Sequence, residues 1–320
     1  MNFRRSEFDV TNRINTTDPV CVKLEVARIF RTLYSRNQAP ILTRAFDDMV
    51  RMYRGQLPGY AGCDTEYHDI QHVMDVTLAM ARLLDGYERS RGDGPHIDER
   101  IFQLGVICAL FHDCGYIRRS SDMRHRTGAE YTTTHVSRGG KFLKEYLPTI
   151  GMEDFADVAP SILHFTGYER PVDTIDLENP MFRLVGSLLG SADIIAQMSD
   201  RCYLEKCRDR LFPEFVLGNL AGRKRAGSRS LPHFASGAEL VQKTPNFYQG
   251  ALKRLDLQLA RAYEYAARHF DGPNPYLDEM RKNVTYAEAV AADPAEGLRR
   301  QPPSTLAPEV KPYPKDLMKL

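Results

Sequence analysis

Long apolar runs are missing from this sequence. No uninterrupted stretch can span a bilayer, so a transmembrane helix is not expected. The opening residues Met1-Asn2-Phe3-Arg4-Arg5-Ser6-Glu7 hold no apolar segment of the kind a secretory signal carries. A strong charge of either sign is missing too. With 43 Lys and Arg against 42 Asp and Glu, the formal net charge of +1 gives no general electrostatic reason to bind nucleic acid or a membrane surface. The 6 cysteines include no Cys-x-x-Cys pair, and some fall inside helical patterns. Free thiols in a reducing cytoplasm are therefore expected rather than a disulfide framework. Strand-like alternation is scarce and no internal repeat is visible. Tryptophan is absent as well, which decides nothing.

Helical periodicity is what the chain does have, over 320 residues, enough to bury a large core. Asp18 or Thr17 can cap a first helix, with Pro19 in its first turn and Val22, Leu24, Ile29 and Leu33 among its apolar residues. Further helices are predicted over about 41–52, 66–84 and 101–111, with a loop from Gly86 to Pro95. Thr127-Gly128-Ala129-Glu130 reads as a capping box opening a helix through Tyr146. Next come about 154–165 and a long helix from Asn179-Pro180 to about Met198, resuming through Leu204 and Leu211. Gly222 to Ser230 reads as a mobile basic loop, and Tyr248 to Phe270 as one amphipathic helix. The expected class is all-α. The expected organisation is N-terminal helices over 1–59, a core over 60–220, a helical extension over 221–300 and an extended proline-rich tail over 301–320.

The chain is organised around Cys108-Ala109-Leu110-Phe111-His112-Asp113-Cys114-Gly115. Leu104, Ile107, Cys108 and Phe111 form the core-facing stripe of a helix, and His112 and Asp113 stand where that stripe ends. A carboxylate at the edge of a core is costly unless it is paired or bound to metal. Other helices bring similar groups. His68 and His72, at i and i+4, should share a face, and Asp75 can reach the same neighbourhood as an outer partner of an imidazole. His135 follows the Thr127 box, His164 ends the next helix, and Asp193 sits in the apolar run Leu188-Leu189-Gly190-Ser191-Ala192-Asp193-Ile194-Ile195. Any one of these alone is more often a satisfied core residue. Their joint occurrence on consecutive helices points to a metal site. His96, His125, His233 and His269 lie in loops or at a helix end and are set aside.

These residues also carry a resemblance. Tyr67-His68-Asp69-Ile70-Gln71-His72-Val73-Met74-Asp75-Val76, then His112-Asp113, then Asp193 resembles the HD superfamily of metal-dependent phosphohydrolases over about residues 60–205. The first segment is similar to cyclic-nucleotide phosphodiesterases, with Asp69 in place of their Asn. The series His72, His112-Asp113, His135, His164, Asp193 resembles the two-metal subset that includes HD-GYP cyclic-dinucleotide phosphodiesterases. Tyr116 stands where that pattern has lysine, and Thr166-Gly167-Tyr168-Glu169-Arg170-Pro171 only echoes Gly-Tyr-Pro. Substrate specificity of either subgroup therefore does not transfer.

The resemblance implies an HD-like helical bundle with additional C-terminal helices. It implies one metal on His72, His112, Asp113 and Asp193, with Asp113 bridging to a second on His135 and His164. Such a donor set favours Fe, Mn, Zn or Ni over Mg or Ca. Two such ions activate a water and clamp a phosphoryl group, and His68, placed like the phosphodiesterase histidine, would protonate the leaving oxygen. Arg118, Arg119, Arg124 and Arg126 suit a phosphate-binding connection or, equally, a solvated loop. The expected partner is a small phosphoester, nucleotides first. Two rivals share the site: an HD-type diiron oxygenase acting on a small polyol or phosphonate, and a non-catalytic nucleotide-binding module.

Overall fold

The computed structural model describes residues 4–35, 38–221, 234–292, 297–308, 310 and 313. Among them the chain is all-α and forms no sheet; extended residues meet only in the isolated bridges Phe8 to Asn15 and Tyr60 to Arg119. The basic stretch Gly222 to Ser230 and His233 lie outside the described residues. No described helix is long and apolar enough to cross a membrane. Cys21, Cys63, Cys108, Cys114, Cys202 and Cys207 are all free.

Helices α1 (Pro19–Tyr34) and α2 (Pro40–Tyr53) both start on proline, whose fixed φ and missing N–H suit a first helical position. Asp18 caps α1 by accepting from the Val20 amide at 2.9 Å. Val22, Val26 and Ile29 face the core, whereas Leu24 points to solvent at 61% exposure. Helix α3 (Ile70–Ser90) differs from expectation at both ends. It begins at Ile70, because the Asp69 carboxylate caps it by accepting from the His72 amide at 3.0 Å. His68 therefore precedes the helix and does not share a helical face with His72. At the far end α3 runs through Gly86 instead of stopping there, since a Cβ on Gly86 would lie 1.8 Å from the Tyr265 carbonyl oxygen. Gly86 serves close packing rather than chain reversal.

Asp98 caps α4 (Glu99–Phe111), which is buried from Ile101 onward and gives way to a tight turn over Cys114–Tyr116. The Thr127 and Glu130 capping box forms, but it opens only a single turn, Gly128–Tyr131. The β-branched run Thr132-Thr133-Thr134 disfavours continuation, and α5 (His135–Tyr146) starts afresh with His135 as its first residue. Helices α6 (Ala159–Leu163), α7 (Pro180–Ser199), α8 (Tyr203–Lys206) and α9 (Phe212–Leu217) follow, a π turn over Cys207–Leu211 joining the last two.

The C-terminal part holds α10 (Gly237–Gln242), α11 (Thr244–Leu257), α12 (Tyr265–His269) and α13 (Pro275–Ala292). The single helix expected from Tyr248 to Phe270 breaks after Leu257, where Ala260 and Arg261 take φ values of 51° and 56°. That bend keeps Leu259, Ala262 and Ala266 buried as the chain turns past α7 onto α3. α3 is the axis of the molecule, with α1, α4, α7 and α12 packed on it.

A buried ion pair fastens the N-terminal segment to this axis. Arg82 of α3 contacts Asp9 Oδ2 at 2.6 Å and donates to the Tyr276 hydroxyl of α13 at 2.9 Å. Burial alone would raise the Asp9 carboxyl, but Arg82 and the Ile14 amide hold it below its ordinary value of 3.8. A depressed folded pKa stabilises fully above the ordinary value and loses that contribution as pH falls through the folded one. Asp9→Asn is expected to cost about 3–5 kcal/mol at pH 7, because it leaves a buried guanidinium unpaired. The gap to wild type should narrow below about pH 4. Urea denaturation of both proteins at pH 7 and pH 3 checks this; a constant gap would show that the pair is not the cause.

Candidate metal centre

The ends of α4 and α5, the first turn of α3 and the middle of α7 meet at one point inside the bundle. Asp113 lies at the centre, almost fully buried just after α4. Its Oδ2 is 3.0 Å from His112 Nε2 and 3.2 Å from His72 Nε2, and its Oδ1 is 3.5 Å from His135 Nε2. The His72 and His112 Nε2 atoms are 3.3 Å apart. Asp193 closes the group from α7, with Oδ1 3.6 Å from His72 Nε2 and 4.0 Å from His112 Nε2.

The tautomers follow from the outer contacts. His112 Nδ1 lies 2.8 Å from the Ala109 carbonyl, and His135 Nδ1 lies 2.8 Å from the Thr132 carbonyl. A carbonyl only accepts, so each Nδ1 carries its hydrogen, and in the neutral ring each Nε2 turns a lone pair inward. Lone pairs of imidazoles and carboxylates therefore converge in a dry interior, an arrangement that calls for a positive charge among them. The same demand shows in the titration of the group. Burial works against a protonated His112, yet Asp113 beside it lifts the imidazole to about 9. Burial would raise the Asp113 carboxyl, and the neighbouring imidazoles hold it well below the usual carboxylate range.

The spacing fits a metal ion. Donors about 2.1 Å from a shared ion lie about 3.0 Å apart along an octahedral edge and about 3.4 Å along a tetrahedral one. The 3.0–3.3 Å separations among His72, His112 and Asp113 fall in that range. This buried group can hold a metal ion. His164, at the end of α6, is also buried, and its Nδ1 has no hydrogen-bond partner among the described residues. Burial, the nearby Arg170 charge and the His135 imidazole all weigh on it, and its basicity is lowered.

Two features of the connection after α4 hold this geometry. A Cβ on Gly115 would stand 1.8 Å from the His135 carbonyl oxygen, so only glycine lets the turn touch the start of α5. Tyr116 then lays its ring against both His68 and His135, with centroids 4.3 Å away in each case and planes within 19° and 20° of parallel.

His68 lies beside the cluster, its ring 5.8 Å from that of His72. Its Nδ1 is 2.5 Å from Glu214 Oε2, and Glu214, fully buried on α9, also accepts from the Tyr67 amide at 2.6 Å. Glu214 escaped the sequence reading, although its setting in Leu211-Phe212-Pro213-Glu214-Phe215-Val216 is as apolar as the one that singled out Asp193. Burial disfavours the imidazolium of His68, but Glu214 and Asp113 outweigh it and raise the pKa.

The other candidates have partners of their own. Asp75 is turned toward Thr16, Asp200 and Lys206, where burial and then Asp200 push its carboxyl up to about 8. It does not orient His72. Arg118 is held by Asp64 at 3.2 Å and by the His125 carbonyl at 3.3 Å. Arg119 contacts Glu145 at 3.4 Å and stacks 4.2 Å over Tyr60, and Arg124 is exposed. His269 pairs with Asp85 at 2.6 Å and His96 with Glu88 at 2.6 Å, both away from the cluster.

No known family model matches the chain, and no curated protein matches it. The reading of the site therefore rests on its own chemistry.

Gly115→Ala should displace the first turn of α5 and with it His135. Weakened metal retention of about 10–100-fold is the expected result, the size of effect seen when the support of a ligand is lost. Chelator competition on wild type and variant measures it; equal retention would mean that His135 takes no part in binding.

Proposed function

We propose that the protein is an HD-type metal-dependent phosphohydrolase, cleaving a phosphoester at a centre of two divalent transition-metal ions. His72, His112, Asp113 and Asp193 would hold the first ion. Asp113 would share its second oxygen with an ion held by His135 and His164. Fe, Mn, Zn or Ni suits this nitrogen-rich set. Bound ions of this kind supply an activated water and neutralise charge on the phosphoryl oxygens.

The observation that carries the reading is the His68–Glu214 pair. A metal site by itself needs no further ionisable group, yet here an imidazole sits against the cluster with a fully buried carboxylate fixing its Nδ1. That leaves Nε2 as the nitrogen free to act. Glu214 raises the basicity of the ring, which favours a proton there for a departing alkoxide oxygen. Cleavage of a phosphomonoester or phosphodiester requires such a proton, and nucleotides are the first class to screen. Asp64 holds Arg118 beside this corner, its other oxygen accepting from the Gly128 amide at 2.7 Å. Arg118 is thus the best fixed of the candidate phosphate contacts, ahead of Arg119 and Arg124.

The test is an anaerobic assay of metal-loaded protein against a phosphoester panel. Turnover should vanish with chelator and return with Mn²⁺, Fe²⁺ or Ni²⁺. His68→Ala should keep its metal and lose about 10²–10⁴-fold in kcat. Asp113→Ala should lose both ions by elemental analysis. No phosphoester turnover, together with oxygen uptake on a polyol or phosphonate, would assign the site to a diiron oxygenase instead. Nucleotide-induced thermal stabilisation without turnover of any kind would leave a binding module.

A further inference from the structure

The described part of the proline-rich segment does not trail away from the molecule. Gly297–Pro308 and Tyr313 run back over it, and Thr305 and Tyr313 reach Asp69, Glu66 and Asp64 in the short stretch 64–69 that carries His68. The strap begins at Arg300, whose amide donates to the buried Glu205 Oε1 at 3.0 Å and whose guanidinium reaches Asn283 Oδ1 at 2.9 Å and the Arg201 carbonyl. Pro302 and Pro303 have no amide hydrogens and cannot prolong a helix, so they present only carbonyls. Arg210 takes both with Nη2, at 3.2 and 2.7 Å, while its Nη1 donates to the Glu66 carbonyl at 3.4 Å. One guanidinium thereby ties the strap to the 64–69 stretch.

Two further contacts flank His68 itself. Thr305 Oγ1 donates to Asp69 Oδ2 at 2.7 Å, the carboxylate oxygen left over when Oδ1 caps α3. The Tyr313 amide donates to Glu66 Oε1 at 2.5 Å, and its hydroxyl lies 3.2 Å from the Asp64 carbonyl and 3.5 Å from Glu214 Oε1. Residues on both sides of His68, and the carboxylate that fixes its ring, are thus held by the C-terminal segment. His112, His135 and Asp193 lie on or at the ends of packed helices and touch the clasp nowhere among the described residues, and the His72 amide is capped by Asp69 Oδ1, the oxygen that Thr305 does not touch.

We propose that the C-terminal segment is a clasp that positions His68, so that release of the clasp disables the proton donor while leaving the metal centre assembled. The positioning role rests on the reading of His68 as an acid; the clasp itself does not. Thr305 and Tyr313 are positioning residues, acting through Asp69 and Glu214.

The test uses the full chain with Thr305→Val and Tyr313→Phe, singly and combined, substitutions that keep shape and remove a hydroxyl each. Hydrogen exchange of peptides covering 64–69 should accelerate about tenfold or more in the double variant, as expected on losing hydrogen bonds to charged or buried acceptors. Peptides from α4 and α7 should not change, nor should metal content. On a phosphoester turned over by wild type, kcat should fall with KM unchanged, and Thr305→Ser should retain activity. Unchanged exchange over 64–69 overturns the clasp. Faster exchange with wild-type kcat overturns its role in setting His68. A wild type inactive on every phosphoester fails the functional reading, while the exchange result still decides the clasp.

Discussion

The arrangement that the rest of the structure answers to is a carboxylate in the core with imidazoles on both of its oxygens. Asp113 is nearly inaccessible, and a lone buried carboxylate carries a desolvation cost that no apolar packing offsets. Its neighbours are not hydrogen-bond donors by default: His112 and His135 spend their Nδ1 hydrogens on carbonyls of the preceding turn and, as neutral rings, face Asp113 with lone pairs. The cluster is neutralised only by a cation or by protons captured on the rings. The fold thus gathers at one point a buried group that can hold a metal ion.

Holding that point requires helices that end where they do. α4 delivers His112 and Asp113 because its helix stops at Phe111 and turns at once through Gly115, where a side chain would collide with α5. α5 delivers His135 as its first residue because a threonine run breaks the helix before it. α3 delivers His72 in its first turn because Asp69 caps it there. His72, His112, Asp113 and His135 each sit at a helix boundary with an identifiable local cause, whereas Asp193 comes from the middle of α7.

The His68 side of the cluster is built differently. His68 stands on an irregular stretch, and what fixes it comes from far along the chain: Glu214 on α9, and behind it Thr305 and Tyr313. On the proposed reading, candidate ligands on packed helices beside an acid on an irregular stretch would separate metal binding from chemistry. One could then be retained while the other is switched.

The all-α class and the candidate ligands were legible in the sequence, because periodicity and proline, threonine and aspartate caps are local signals and because a His or Asp inside an apolar run is conspicuous wherever it folds. The capping box at Thr127, the proline starts of α1 and α7 and the histidines at helix ends are of this kind. The start of α3 was misplaced, since a cap at Asp69 competes with a helical pattern that continues through His68, and only the geometry of that carboxylate decides between them. Asp75 lay at the right spacing for His72 but turned toward Asp200 and Lys206, a choice made by neighbours distant in sequence. The break at Ala260 and Arg261, the pairing of Glu214 with His68 and the return of the C-terminal segment all depend on contacts between remote residues. Local pattern determined which groups could serve a metal site; packing alone decided which of them meet, because meeting is a property of the folded core and not of any stretch of chain.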